Sequence, residues 1–186
     1  MKKTLLSLVI LGIFSIFGFA QEKARPASVI MDEAYSQASR ENKKVMVIFH
    51  ASWCGWCHRM DSIMNMPETK AFFDNNFVIK HLVVQESKNK KDLENPGADE
   101  IMKQYNGAGA GIPYWLIFNA KGKLLADSRM PSVDKKTGKK IKANVGCPAN
   151  PEEVAYFIGL LKKTTQLKGA ELQVIAERFA LKPVTH

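Results

Sequence analysis

Cys54 and Cys57, separated by Gly55 and Trp56 and followed at once by His58, are the residues whose types and spacing speak most directly of chemistry. Two thiols with two residues between them can close a small ring when the second lies one turn into a helix. The residues before them, Val45-Met-Val-Ile-Phe49, form an unbroken apolar run rich in β-branched side chains and read as a buried strand. The residues after them, through Met60 and Met64, have helical spacing. At such a strand-to-helix junction the unpaired N–H groups and positive end of the helix face the first sulfur and stabilise its thiolate. Thiolate is the nucleophile of disulfide exchange. Cys54 is therefore the expected attacking group, and Cys57, a turn deeper, the resolving thiol.

Two other chemistries use similar residues. Cys54-Gly-Trp-Cys-His58 also spells the attachment pattern of c-type haem, which makes a haem-binding electron-transfer protein the alternative. Haem needs a largely helical wrapping fold and a second axial ligand, whereas this motif follows a strand and precedes further strands. Met60, Met64 and Met66 could be offered as ligands, but the first two lie at i, i+4 and suit a core. A zinc set of Cys54, Cys57, His58 and Cys147 fits poorly, because adjacent ligands rarely both reach one tetrahedral ion. No metal and no cofactor is expected. Cys147, in Gly146-Cys147-Pro148, has no spacing partner and reads as a small buried or half-buried thiol.

The elements that must position the cysteines follow from periodicity and punctuation. Met31, Ala34, Tyr35 and Ala38 have helical spacing over Met31 to Asn42. After the cysteine helix, Pro67 restarts a helix towards Phe72-Phe73, and Asn75-Asn76 ends it. Phe77 to Val84 reads as a second strand, Gln85 to Gly97 as a polar connection, and Ala98 to Tyr105 as a short helix. Asn106 to Gly111 is a flexible glycine-rich stretch. Tyr114 to Phe118 and Lys123 to Ala126 flank Asn119-Ala-Lys-Gly122 as a hairpin. Lys135, Lys136, Lys139, Lys140 and Lys142 crowd between Asp134 and Asn144 with no aromatic residue among them, so a solvated loop is expected there rather than a nucleic-acid surface. Asn150-Pro151-Glu152-Glu153 opens a helix to about Lys163, and another spans Lys168 to Phe179. The order α-β-α-β-α-β-β-α-α predicts an α/β sandwich with a mixed sheet.

These residues resemble the thioredoxin superfamily. The matching features are the strand Val45 to Phe49, the Ala51-x-Trp53-Cys54-Gly55-x-Cys57 site, Gly111-Ile112-Pro113 before a strand, and the hairpin with Gly122. Glu41-Asn-Lys-Lys44 and Asn150-Pro-Glu-Glu-Val154 look like secreted bacterial thioredoxin-like proteins in particular. The resemblance covers roughly Met31 to Lys163. It implies a thioredoxin-like fold, a central mixed β-sheet flanked by helices, with an extra C-terminal helix. It also implies a thiol–disulfide oxidoreductase with a redox-active Cys54–Cys57 disulfide acting on protein thiols and disulfides. Pro113 resembles the cis-proline that faces the sulfurs and leaves the Ile112 backbone open to a bound peptide, so Trp53, Trp56, Ile112 and Pro113 form the expected substrate-binding set.

There are two departures. Members commonly carry a buried Asp six residues before the first cysteine, where this chain has Ile48. Proton transfer must then use water or a nearby imidazole, and His50 and His58 are the candidates beside the blander reading that both cap or pack. Trp56 stands where cytoplasmic thioredoxins have Pro, so the reduction potential does not transfer. A non-catalytic binding or chaperone module on the same fold is a further alternative, since fold does not fix function. Such a scaffold would not require both cysteines.

Composition and the first residues set the context. The 186 residues are 46% hydrophobic and 24% charged, with 12 Gly, 8 Pro and 3 Cys, which excludes a collagen-like, disordered or disulfide-stapled chain. Lys2 and Lys3, the apolar run Leu5 to Phe17 and the small residues Gly18 and Ala20 have the layout of a signal peptide over 1–20. A lead-in over 21–30 and a thioredoxin-like domain over 31–186 follow. An uncleaved anchor is disfavoured, since Thr4 to Ala20 is at the short limit for a span. Without Lys2 and Lys3 the net charge falls from +9 to +7. The expectation is a periplasmic or otherwise extracytoplasmic protein with no stable membrane insertion after cleavage. It would have no nucleic-acid partner and would work with a membrane or periplasmic redox partner.

Overall fold

A strand that is apolar at every position must be covered on both faces. In the computed structural model, which describes residues 23–180, strand β1 (Lys44–His50) is covered in this way. Val45, Val47 and Phe49 point into one hydrophobic cluster, and Met46 and Ile48 into another. The signal segment expected over 1–20 lies outside the described residues.

Strand β1 is central in a four-stranded mixed sheet of order β2-β1-β3-β4. It runs parallel to β2 (Phe77–Val83) and antiparallel to β3 (Tyr114–Phe118), and β3 pairs antiparallel with β4 (Leu124–Asp127). Gly122, at φ +75°, completes the β3–β4 turn, and the Asn119 side chain accepts the amides of Lys121 and Lys123. On one face lie α1 (Ala27–Glu41), through Ala27, Met31, Ala34 and Ala38, and α4 (Ala98–Gln104), through Ala98 and Met102. On the other lie α2 (Gly55–Met64), α3 (Lys70–Asn76), α5 (Pro151–Thr164) and α6 (Gly169–Phe179). Among the described residues, no helix is long and apolar enough to cross a membrane.

The predicted α/β class and mixed sheet are present, with α6 as the extra C-terminal helix. Its Phe179 packs at 5.1 Å from Phe157 of α5, which meets Trp115 of β3 edge-on at 5.3 Å. Helix α1 begins at Ala27, inside the stretch read as a lead-in, because Pro26 serves as its N-cap residue.

One expectation is corrected in part. Lys135, Lys136 and Lys139 lie in an exposed turn, as a solvated loop would have them, but Lys140 and Lys142 belong to the return strand of a separate antiparallel hairpin, β5 (Arg129–Val133) paired with β6 (Lys140–Asn144). The physical reason is local. Asp134 accepts the amides of Lys136 and Thr137, its own amide reaches the Lys139 carbonyl at 2.9 Å, and Gly138 supplies φ +69°. The alternation in Lys-Ile-Lys-Ala-Asn144 is a strand signal hidden beneath a run of charge.

Candidate active site

The end of β1 delivers the chain into a turn in which Cys54 is the N-cap residue of α2. The Cys57 amide points at the Cys54 sulfur at 3.2 Å, so a first-turn N–H of the helix is aimed at the attacking atom. The two sulfurs are bonded, with Cα atoms 5.3 Å apart. Both are nearly covered: Cys54 exposes 3% of its surface and Cys57 1%. Trp53 and Trp56 stand out beside them, 58% and 50% exposed.

The turn before the cysteines is clamped by a segment whose sequence reads only as polar. Glu86, 4% exposed, accepts the Ser52 amide at 2.5 Å and the Ser52 hydroxyl at 2.9 Å. The Trp53 indole donates to the Gln85 carbonyl at 2.9 Å, and Glu94 in turn accepts the Glu86 amide at 2.7 Å. Burial alone would raise the Glu86 carboxyl, but the two Ser52 donors and the positive charge of Lys90 hold it below its ordinary value of 4.5. In the unfolded chain it returns to that value. The stability it contributes is therefore complete above about pH 4.5 and is lost as the pH falls through the lower folded value. Glu86→Gln is expected to shrink the drop in urea midpoint between pH 5 and pH 3. An acid loss identical to wild type would remove Glu86 from this role.

The imidazoles flank α2. The ring of His58 bonds the Ser52 carbonyl at 3.0 Å, and His50 meets His81 edge-on at 5.0 Å. His81 reaches Asp61 of α2 at 2.7 Å. Burial, followed by the neighbouring His81, holds His50 below the usual histidine value. Neither His50 nor His58 hydrogen-bonds a cysteine sulfur among the described residues. Sequence reasoning missed His81 and Asp61. The available signal was register, because His81 lies directly across from Ile48 in the β1–β2 ladder.

On the opposite side of the cysteines, Gly109 and Gly111 take positive φ and the Ile112–Pro113 peptide is cis. Ile112 packs on Ala51, Cys54 and Cys57. The Asn144 amide faces the carbonyls of Ala110, Gly111 and Pro113 at 3.0–3.2 Å, tying the end of β6 to this loop. Between them opens a groove of about 410 Å³ whose lining includes Trp56, Ile112, Pro113, Asn144 and Cys147. The sequence offered nothing to place Cys147 there. Arg59 of α2 explains its position, donating to the Cys147 sulfur at 3.1 Å, to the Pro148 carbonyl at 3.3 Å and to the Phe179 carbonyl at 2.7 Å, with its guanidinium 5.8 Å from the centre of the Trp56 ring. Burial pushes the Cys147 thiol up despite Arg59, which keeps it protonated at neutral pH.

A family model described as Thioredoxin-like matches residues 28–120. The chain belongs to the thioredoxin-like family. With both cysteines in place at the helix start, the chemistry of this thioredoxin-like protein is thiol–disulfide exchange. It is similar to a solved disulphide isomerase from Xylella fastidiosa Temecula1 at 20% identity and TM-score 0.46, over 60% of this chain and 79% of that one. It is similar to the C-terminal domain of DsbD from Neisseria meningitidis at 15% identity and TM-score 0.44, over 76% and 98%. The oxidoreductase DsbH matches at 18% identity and TM-score 0.40, over 90% and 96%. No curated protein matches this thioredoxin-like chain.

Proposed function

We propose that this thioredoxin-like protein exchanges disulfides with polypeptide substrates in an extracytoplasmic compartment. The observation that carries the reading is the bonded Cys54–Cys57 pair at the start of α2, beside a groove with an exposed tryptophan on its rim. In the reducing direction the Cys54 thiolate attacks a substrate disulfide, forming a Cys54–substrate bond and releasing one substrate thiolate, which takes up a proton. Cys57, deprotonated, then attacks the Cys54 sulfur. The mixed disulfide breaks, the second substrate thiolate leaves, and the Cys54–Cys57 bond forms, so two electrons have passed to the substrate. The oxidising direction is the reverse of these steps.

Trp53, Trp56, Ile112 and Pro113 hold the substrate in this reading. Ile112 carries no backbone hydrogen bond among the described residues, which suits pairing with an extended peptide. With Ile48 buried beneath α2 in place of a carboxylate, water or the imidazoles of His50 and His58 take the Cys57 proton. The compartment follows from the signal-peptide layout of residues 1–20, and a membrane or periplasmic redox partner would recharge the pair.

Equilibration of the purified chain against a glutathione series tests the function and its direction together. A potential near the thioredoxin value of about −270 mV assigns a reductase, and one well above it an oxidase or isomerase. A Cys54–Cys57 pair that does not exchange with glutathione at all refutes the proposal. A covalently bound haem in the purified protein would favour the alternative use of Cys54-Gly-Trp-Cys-His58.

A further inference from the structure

The β5–β6 hairpin pairs only with itself, as a two-stranded sheet that shares no ladder with the four-stranded one. It carries Lys135, Lys136, Lys139, Lys140 and Lys142, and none of these ammonium groups forms an ion pair among the described residues. Asp134, the one acid between Arg129 and Asn144, is committed to the turn, accepting two amides and the Thr137 hydroxyl. Val133 and Ile141 are exposed aliphatic positions on the same hairpin, 56% and 41% open. The root of this arm is the wall of the active-site groove. Asn144, the last residue of β6, lines the groove and is bonded to the carbonyls around the cis Ile112–Pro113 peptide.

Lysines on a free strand edge can serve simply to block edge-to-edge aggregation. That account does not cover Lys135, Lys136 and Lys139, which lie in the turn between Val133 and Lys140, where there is no ladder edge to guard. A nucleic-acid surface would interleave stacking aromatics, and the arm has none. What remains is a concentrated positive field anchored beside the reacting sulfurs. Resting on the reading of the site as a disulfide-exchange centre, we infer that the β5–β6 arm recruits polypeptide substrates that carry acidic residues near the cysteine they exchange. Five-residue strands extend roughly 16 Å at about 3.3 Å per residue, so the arm meets substrate residues about five or more positions from that cysteine in an extended chain.

The test uses the mature protein in its reduced form and two peptide disulfides identical except for a block of four Asp or four Asn residues placed six positions from the cysteine. The wild type is expected to reduce the Asp peptide with about a tenfold higher kcat/KM at low salt, within the range of electrostatic steering. That advantage should fall to about twofold or less in 0.5 M NaCl, where screening acts within a few ångströms. In a Lys135→Gln, Lys136→Gln, Lys139→Gln, Lys140→Gln variant the preference should vanish while the Asn-peptide rate stays at the wild-type value, which also reports that the variant is folded. Equal rates for the two peptides in the wild type would overturn the inference, as would a preference indifferent to salt or one that survives in the variant. Binding to vesicles of phosphatidylglycerol and phosphatidylcholine with no peptide preference would assign the arm to a membrane surface instead. If the wild type reduces neither peptide, the exchange reading itself falls, an outcome distinct from equal rates.

Discussion

Cys57→Ser is expected to accumulate a stable mixed disulfide between Cys54 and its substrate, while Cys54→Ser forms none and loses turnover by roughly 10³-fold or more. The asymmetry comes from the turn of α2. Cys54 is the N-cap residue, with the Cys57 amide directed at its sulfur, so its thiolate is the stabilised one. Cys57 lies a turn inside, 1% exposed above a core that contains Ile48 rather than a carboxylate, and attacks only the Cys54 sulfur once that sulfur is joined to substrate. Removing it leaves the first attack intact and deletes the second. Non-reducing electrophoresis and intact mass after incubation with a disulfide-containing protein read the outcome. Cys147→Ser is the control and should stay near wild-type activity, since burial keeps that thiol protonated and it is engaged with Arg59. Adducts formed by Cys54→Ser through Cys57 or Cys147 would overturn the assignment. Insulin reduction by the double cysteine variant at the wild-type rate would remove the enzymatic reading altogether.

Phe157→Ala is expected to lower stability by about 3–5 kcal/mol. Its ring is completely buried, 5.3 Å from the Trp115 ring and 5.1 Å from that of Phe179, and so joins the β3 layer of the sheet to both C-terminal helices. Truncation opens a cavity that three elements must close together, and aromatic neighbours lose their edge contacts as well. For a chain of this length the melting temperature should fall by roughly 10 °C, with an unchanged urea m-value if the transition stays two-state. A loss below about 1 kcal/mol would mean that α5 and α6 contribute little to the fold.

The central layer was legible in the sequence because its signals are short-range. Val45 to Phe49 has no polar residue to spare for solvent, Pro67 interrupts a helix where α2 gives way to α3, and Asn150-Pro151 caps α5 through its Glu153 box. The cysteine junction was legible for the same reason, since both thiols and the helix start lie within a few residues. Partners distant along the chain were not. Glu86 clamps Ser52 from 34 residues away, and Arg59 finds Cys147 from 88 away, and no local pattern encodes either contact. The β5–β6 hairpin was hidden differently, because five lysines dominate a segment whose strand alternation is only a few residues long.

Arg59 and the Phe179 carbonyl are 120 residues apart and yet share a 2.7 Å hydrogen bond. The helix that carries the cysteines is thereby tied to the far end of the described fold, and a chain cut short ahead of Phe179 would lose that tie while α2 stayed held through Met60, Ile63 and Met64 and through Arg59 on Cys147 and Pro148.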